Sequence, residues 1–168
     1  MRLENTTALI TGGGSGIGRA IACRFAQEGS FVIVADLNRE TGTSVAAEIK
    51  GAGGEAEFAE VDTANAASVK ALFDVVDGIG RGLNIVVNNA GQGGTLTPIH
   101  LLEDEQWDAM LATHLNGTFY CTREAIRRML VQKSGAIINL GSVAGLRGFP
   151  GAASYAAAKG GIISFTRA

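Results

Sequence analysis

Tyr155 and Lys159 stand four residues apart in "SYAAAKGGIISFTRA", residues 154 to 168. In a helix that spacing puts a phenol and an ammonium one turn apart on the same side. A free phenol ionises near pH 10 and is a poor base at neutral pH, but an adjacent positive charge favours the phenolate. Such a pair could exchange a proton with an oxygen held beside it. The same spacing also arises by chance, as a half-buried tyrosine next to a solvated lysine, so the pair alone decides nothing.

A second stretch able to do chemistry is "TGGGSGIGRA", in which Gly12, Gly16 and Gly18 lead from an apolar run into a helix-like segment. Missing side chains let a backbone approach a pyrophosphate, whose charge is favoured by the free N–H groups and positive end of a helix. A tight strand-to-helix turn would need the same glycines. Asp36 follows Gly18 by eighteen positions at the end of a second apolar run. There a carboxylate accepts hydrogen bonds from an adenosine ribose and repels a 2′-phosphate, which favours NAD over NADP. Arg39 nearby could soften that repulsion, and Asp36 could instead simply begin a turn.

The elements that would position these residues are legible as five apolar runs: "TALIT" (7 to 11), "FVIVA" (31 to 35), "AEFAEV" (56 to 61), "NIVVN" (84 to 88) and "AIINL" (136 to 140). Each reads as continuous, the pattern of strands buried on both faces. Helix-like segments lie between them near 17 to 28, 39 to 51, 66 to 78 and 103 to 132, with Asn38 and Asn65 placed as N-caps. The alternation predicts an α/β fold: a doubly wound parallel sheet with right-handed crossovers and helices on both faces, in a single domain over 1–168. Ligands of such sheets bind at the carboxyl ends of the strands, where the glycine turn and Asp36 fall.

Composition narrows the partners. Charged residues are 18% of the chain and the net charge is −2, which gives neither the footprint of a nucleic-acid binder nor that of a disordered polymer. Small molecules, or further copies of the chain, fit better than nucleic acid or a membrane. No apolar run approaches the 18 or so residues of a membrane span, so a cytoplasmic location is expected. Cys23 and Cys121 lack a C-x-x-C or histidine-rich setting and read as structural thiols, with no metal site.

Taken together, the motifs resemble the short-chain dehydrogenase/reductase family. Thr11 to Gly18 has the spacing T-G-x-x-x-G-x-G, "NNAG" occupies 88 to 91, Asp62 follows the third strand, and Ser142 precedes Tyr155 of Y-x-x-x-K by thirteen residues. The resemblance implies a Rossmann-type three-layer fold and an NAD(P)-dependent oxidoreductase interconverting a secondary alcohol and a ketone. It further implies that Gly12, Ser15, Gly16, Ile17, Gly18, Asp36, Leu37, Asp62, Asn89, Ala90 and Gly91 bind the cofactor, with Tyr155 and Lys159. Tyr155 would be the general acid/base, Lys159 would favour its phenolate and reach the ribose, and Ser142 would orient the substrate oxygen.

Two departures stand out. The family's fourth catalytic residue is usually an asparagine, but aligning "HLNGTFY" on Gly117 and Phe119 puts His114 at that position and Asn116 two places off. A histidine there would keep the backbone carbonyl that holds water linked to the lysine, or its ring is simply satisfied by a neighbour. Family members of the common type also continue beyond this helix with further strands and a substrate loop. The expectation is a fragment of a longer enzyme, or a shortened product: a weak or inactive dinucleotide-binding or subunit-pairing module. Homo-oligomers would form through the helices at 103–132 and 154–168. The segment "GQGGTLTPIH" is too generic to name a substrate.

Overall fold

A computed structural model of the chain describes residues 1–94 and 96–168. Strand β1 (Thr7–Thr11) is buried along its whole length and pairs in parallel with β2 (Phe31–Asp36) on one side and β4 (Ile85–Asn88) on the other. β3 (Glu55–Glu60) lies outside β2 and β5 (Ala136–Asn139) outside β4, giving the order β3-β2-β1-β4-β5. The chain therefore steps outward from β1 to β3 and returns to the other side at β4, so strand order reverses between β1 and β4.

Alternate residues of the central strands feed two cores. Leu9, Ile33 and Val86 pack with α3 (Ala66–Ile79) and α5 (Gly117–Gln132) through Leu72, Phe73 and Ala125. Ala8, Ile10 and Val34 pack on the opposite face with α1 (Gly16–Gln27) and α2 (Arg39–Gly51) through Ala22, Val45 and Ile49. Fully burying each such Leu, Ile or Phe contributes about 1.5–3 kcal/mol relative to exposure. The asparagine caps form as expected: the Asn38 side chain accepts from the Thr41 N–H, and that of Asn65 from Ala67 and Ser68.

Two expectations are corrected. The third and fifth strands are not buried continuously: in β3 Ala56 and Ala59 are buried on opposite faces, one in each core, while Glu55, Glu57 and Glu60 are exposed, and Ile138 of β5 is 45% exposed. Both are outer strands of the sheet, so one long side of each lacks a neighbour. The continuous helix expected over 103 to 132 is divided into α4 (Asp104–Leu111), a π-helical segment (Ala112–Asn116) and α5. The wider turn shifts the side-chain register by a residue, and His114 lies within it.

Beyond β5, the short α6 (Ala144–Arg147) leads to α7 (Ala153–Arg167), which carries Tyr155 and Lys159. α6 crosses α7 backbone against backbone: a Cβ on Gly145 would sit 2.5 Å from the Gly160 nitrogen and the Lys159 carbonyl carbon. Glycine is what permits this approach, and any side chain there would push α7 outward. Among the described residues, no helix is long and apolar enough to cross a membrane.

Candidate active site

At the carboxyl ends of β1 to β4 lies a crevice of about 380 Å³. Its first wall is the turn after β1, from which Gly12, Ser15, Gly16 and Ile17 line the space. Ser15 caps α1 in an extended conformation (φ −156°) but its side chain makes no capping bond, and no acidic residue lies in the first helical turn. The first N–H groups of the helix therefore keep their partial positive charge for an anion. Gly16 has φ +52°, and a Cβ built there would meet nothing within 4 Å, so the backbone borders open space. Gly18 does something else. Buried beneath the turn, it approaches so closely that a Cβ would collide with the Gly12 carbonyl oxygen and lie 2.5 Å from Asn89 Nδ2.

The turn after β4 clamps this loop. Thr11 Oγ1 accepts from the Asn89 and Ala90 N–H groups at 3.1 and 3.0 Å and donates to the Val87 carbonyl at 3.3 Å. Asn89 Nδ2 donates to the carbonyls of Thr11 and Gly12 at 2.9 and 3.2 Å. Thr11 is 1% exposed, so these bonds form away from water and hold Asn89, Ala90 and Gly91 at the crevice wall.

Acidic residues line the far end. One Asp36 carboxylate oxygen accepts from the Gly14 N–H at 2.8 Å, and the other accepts from Asn38 N–H at 2.9 Å. Leu37 lines the same end, as does Asp62, whose Oδ1 accepts from the Ala64 N–H. The glycine turn and two carboxylates thus border one continuous space, the chemistry that a pyrophosphate and a ribose diol require.

A second cavity of about 420 Å³ opens from the first, and the two share Ile17, Asn89, Gly91 and Gln92. Tyr155, Lys159 and His114 all line it. Lys159 is 6% exposed, and its Nζ donates to the Leu140 carbonyl at 2.6 Å while lying 5.8 Å from the centre of the Tyr155 ring. Burial pushes the lysine pKa below its ordinary value, because removal from water disfavours the ammonium. Tyr155 is half-buried, with His114 edge-on to its ring.

His114 is 4% exposed and packs against Gly91, with its Nε2 within 3.0 Å of the Gln92 carbonyl and 3.2 Å of the Gln92 nitrogen. Its Nδ1 is buried with no hydrogen-bond partner. Burial pushes the imidazole pKa below 6.5, the Gln92 backbone opposes that, and the charge of Lys159 adds to it. The His114 carbonyl accepts from Thr118 Oγ1 at 2.7 Å, which leaves one of its two lone pairs. Asn116 is exposed.

Ser142 stands apart from the residues lining the cavity. Leu140 and Gly141 form the wall, whereas the Ser142 hydroxyl accepts from the Ala144 N–H at 3.1 Å and starts α6. The structure thus brings Tyr155, Lys159 and His114 into one cavity and the glycine turn, Asp36 and Asp62 into the adjoining crevice. Gly18 supports that crevice from below, and Ser142 flanks the cavity. Gln92 and Thr113 were not anticipated as lining residues. Gln92 meets His114 through its backbone, which leaves no mark in residue type, but the threonine ending β1 is visible in the T-G-x-x-x-G-x-G spacing.

Comparison with known proteins agrees with this geometry. Residues 6–168 match the family model described as short chain dehydrogenase. The chain is 42% identical over 168 residues to a 3beta-hydroxysteroid dehydrogenase of Mediterraneibacter gnavus, covering 99% of this chain and 60% of that protein. It is 38% identical over 168 residues to the 3-oxoacyl-(acyl-carrier-protein) reductase FabG of Thermotoga maritima, covering 99% of this chain and 68% of that one. The chain thus spans about 60–68% of the length of these relatives. Among solved structures, NAD+-bound xylitol dehydrogenase superposes with a TM-score of 0.96 at 31% identity, over 99% of this chain and 64% of that chain. A metagenomic short-chain oxidoreductase in complex with NADP gives 0.95 at 32% identity, over 99% of this chain and 76% of that chain.

Proposed function

The chain belongs to the short-chain dehydrogenase family, and from that membership we propose a protein that interconverts a secondary alcohol and a ketone with a nicotinamide dinucleotide, NAD in preference to NADP. The observation that carries this reading is the meeting of Tyr155, Lys159 and His114 in a cavity joined to the glycine-lined crevice through Ile17, Asn89, Gly91 and Gln92.

The residues present fit the dinucleotide. The first turn of α1 offers N–H groups beside an open groove, and Asp36 sits where a ribose diol would need an acceptor. When bound, that cofactor supplies or accepts the hydride. Gly12, Ser15, Gly16 and Ile17 would hold its phosphates, and Asp36, Leu37 and Asp62 its adenosine half. Asn89, Ala90 and Gly91 would form the floor beneath it.

Tyr155 is the proposed general acid/base. Its hydroxyl gives a proton to the substrate oxygen in reduction and takes one back in oxidation. Lys159 has one of its three donors on Leu140, which leaves the others for the ribose hydroxyls, and its ammonium lies 5.8 Å from the centre of the Tyr155 ring. Ser142 would orient the substrate oxygen by donating its O–H, while its oxygen keeps accepting from the Ala144 N–H. His114 replaces the family's asparagine and supports Tyr155 from the side. Turnover of a panel of ketones and secondary alcohols with NAD(H) and NADP(H) tests the reading, and absence of nucleotide binding would sink it.

One observation favours a further role in subunit pairing. Ile126 and Leu130, one turn apart on α5, are 44% and 71% exposed, an apolar pair of the kind copies of a chain bury against each other. Sedimentation of the chain with Leu130→Lys tests it, and an unchanged mass would count against pairing through this face.

A further inference from the structure

The nearest cation in sequence to the Asp36 carboxylate is Arg39, at the start of α2. Were it free, its guanidinium could meet a 2′-phosphate and relax the preference that Asp36 imposes. It is engaged instead: Arg39 Nη2 lies 2.6 Å from a carboxylate oxygen of Glu60, and its guanidinium carbon lies 5.8 Å from the centre of the Phe58 ring. Glu60 is the register partner of Asp36 across the β2–β3 pairing, so the two carboxylates end neighbouring strands. Neither Arg39 nor Glu60 lines the crevice.

We propose that Glu60 is a specificity determinant, a latch that holds Arg39 over the sheet edge and away from the place a 2′-phosphate would occupy, so that NAD is preferred. The proposal rests on the dinucleotide reading above. Its basis is the shared geometry: Asp36 is pinned by Gly14 and Asn38, and the one arginine beside it is drawn to the adjacent strand end. The other arginine that follows the glycine turn, Arg19, is held on α2 by both oxygens of Glu48. The anionic end of the crevice, with Asp36 and Asp62, thus has no arginine turned into it.

The test is calorimetric titration of the whole chain with NAD+ and with NADP+, for the parent, Glu60→Gln, Arg39→Gln and the double variant. Glu60→Gln should raise NADP+ affinity relative to NAD+ by about two- to five-fold, the scale of a released exposed ion pair. Arg39→Gln alone should leave the ratio near the parent's, and the double variant should lose the gain. Glu60 is exposed, so the variant keeps its fold, which circular dichroism checks. A gain that survives in the double variant would assign the effect to lost negative charge and overturn the latch. An unchanged ratio in Glu60→Gln with NAD+ still bound overturns the latch and leaves the nucleotide site standing, whereas a parent chain that binds neither nucleotide overturns both.

Discussion

The imidazole of His114 meets the Tyr155 ring edge-on, with centroids 5.4 Å apart and planes at 86°. Contacts of this geometry contribute about 0.5–1.5 kcal/mol beyond the area they bury when both partners are aromatic. The contact ties the middle of the π-helical segment to α7.

Stability should depend on pH through His114. Burial holds its folded pKa below 6.5, so between that lowered value and 6.5 the unfolded chain binds more protons than the folded one. This part of the stability is complete above pH 6.5 and is lost as the pH falls toward the folded value. Thermal melts across that window should show the loss in the parent, and His114→Gln, which cannot titrate, should show less of it. Equal slopes in both would remove His114 from the explanation.

Tyr155→Phe deletes the hydroxyl and keeps the ring against His114. Turnover should fall by about 10²–10⁴-fold, the scale of a lost general acid/base, while NAD+ still binds. Single-turnover kinetics with calorimetric binding separates the two effects, and full turnover in this variant would refute the role given to the phenol.

Gly18→Ala should be severe where an alanine elsewhere in a helix is benign. Its methyl group would collide with the Gly12 carbonyl oxygen and lie 2.5 Å from Asn89 Nδ2, so the crevice floor must shift. A loss of about 1–3 kcal/mol is expected from such overpacking, together with weakened NAD+ binding. Urea melts and nucleotide titration of the variant measure both.

Thr11→Val keeps the volume and removes the hydroxyl. The Ala90 N–H then loses its partner and the Asn89 N–H keeps only the Val87 carbonyl. Leaving a buried donor unpaired costs about 1–3 kcal/mol, which a shift in urea midpoint at constant slope would report.

Much of the framework is legible in the residues themselves. Thr7 to Thr11 reads as a buried central strand because both its neighbours cover it. Glu55 to Glu60 misleads: its exposure follows from its place at the sheet edge, and that depends on pairing with residues far away in the chain. The division of the helix around His114 is likewise hidden, since a π turn adds one residue to a periodicity that short windows cannot resolve. For Ser142 the chain position is legible but the placing of the hydroxyl is not, because its oxygen is set by a local bond from the Ala144 N–H that the residue types do not announce.

The two bonds on Asp36 have an energetic consequence. Because Gly14 and Asn38 fix both of its oxygens within the folded chain, this carboxylate has little rotamer freedom left to lose when a diol arrives. Immobilising such a side chain on association would otherwise cost about 0.5–1.5 kcal/mol. A longer carboxylate, as in Asp36→Glu, would release those anchors and make recognition depend on an acceptor that must first be frozen in place.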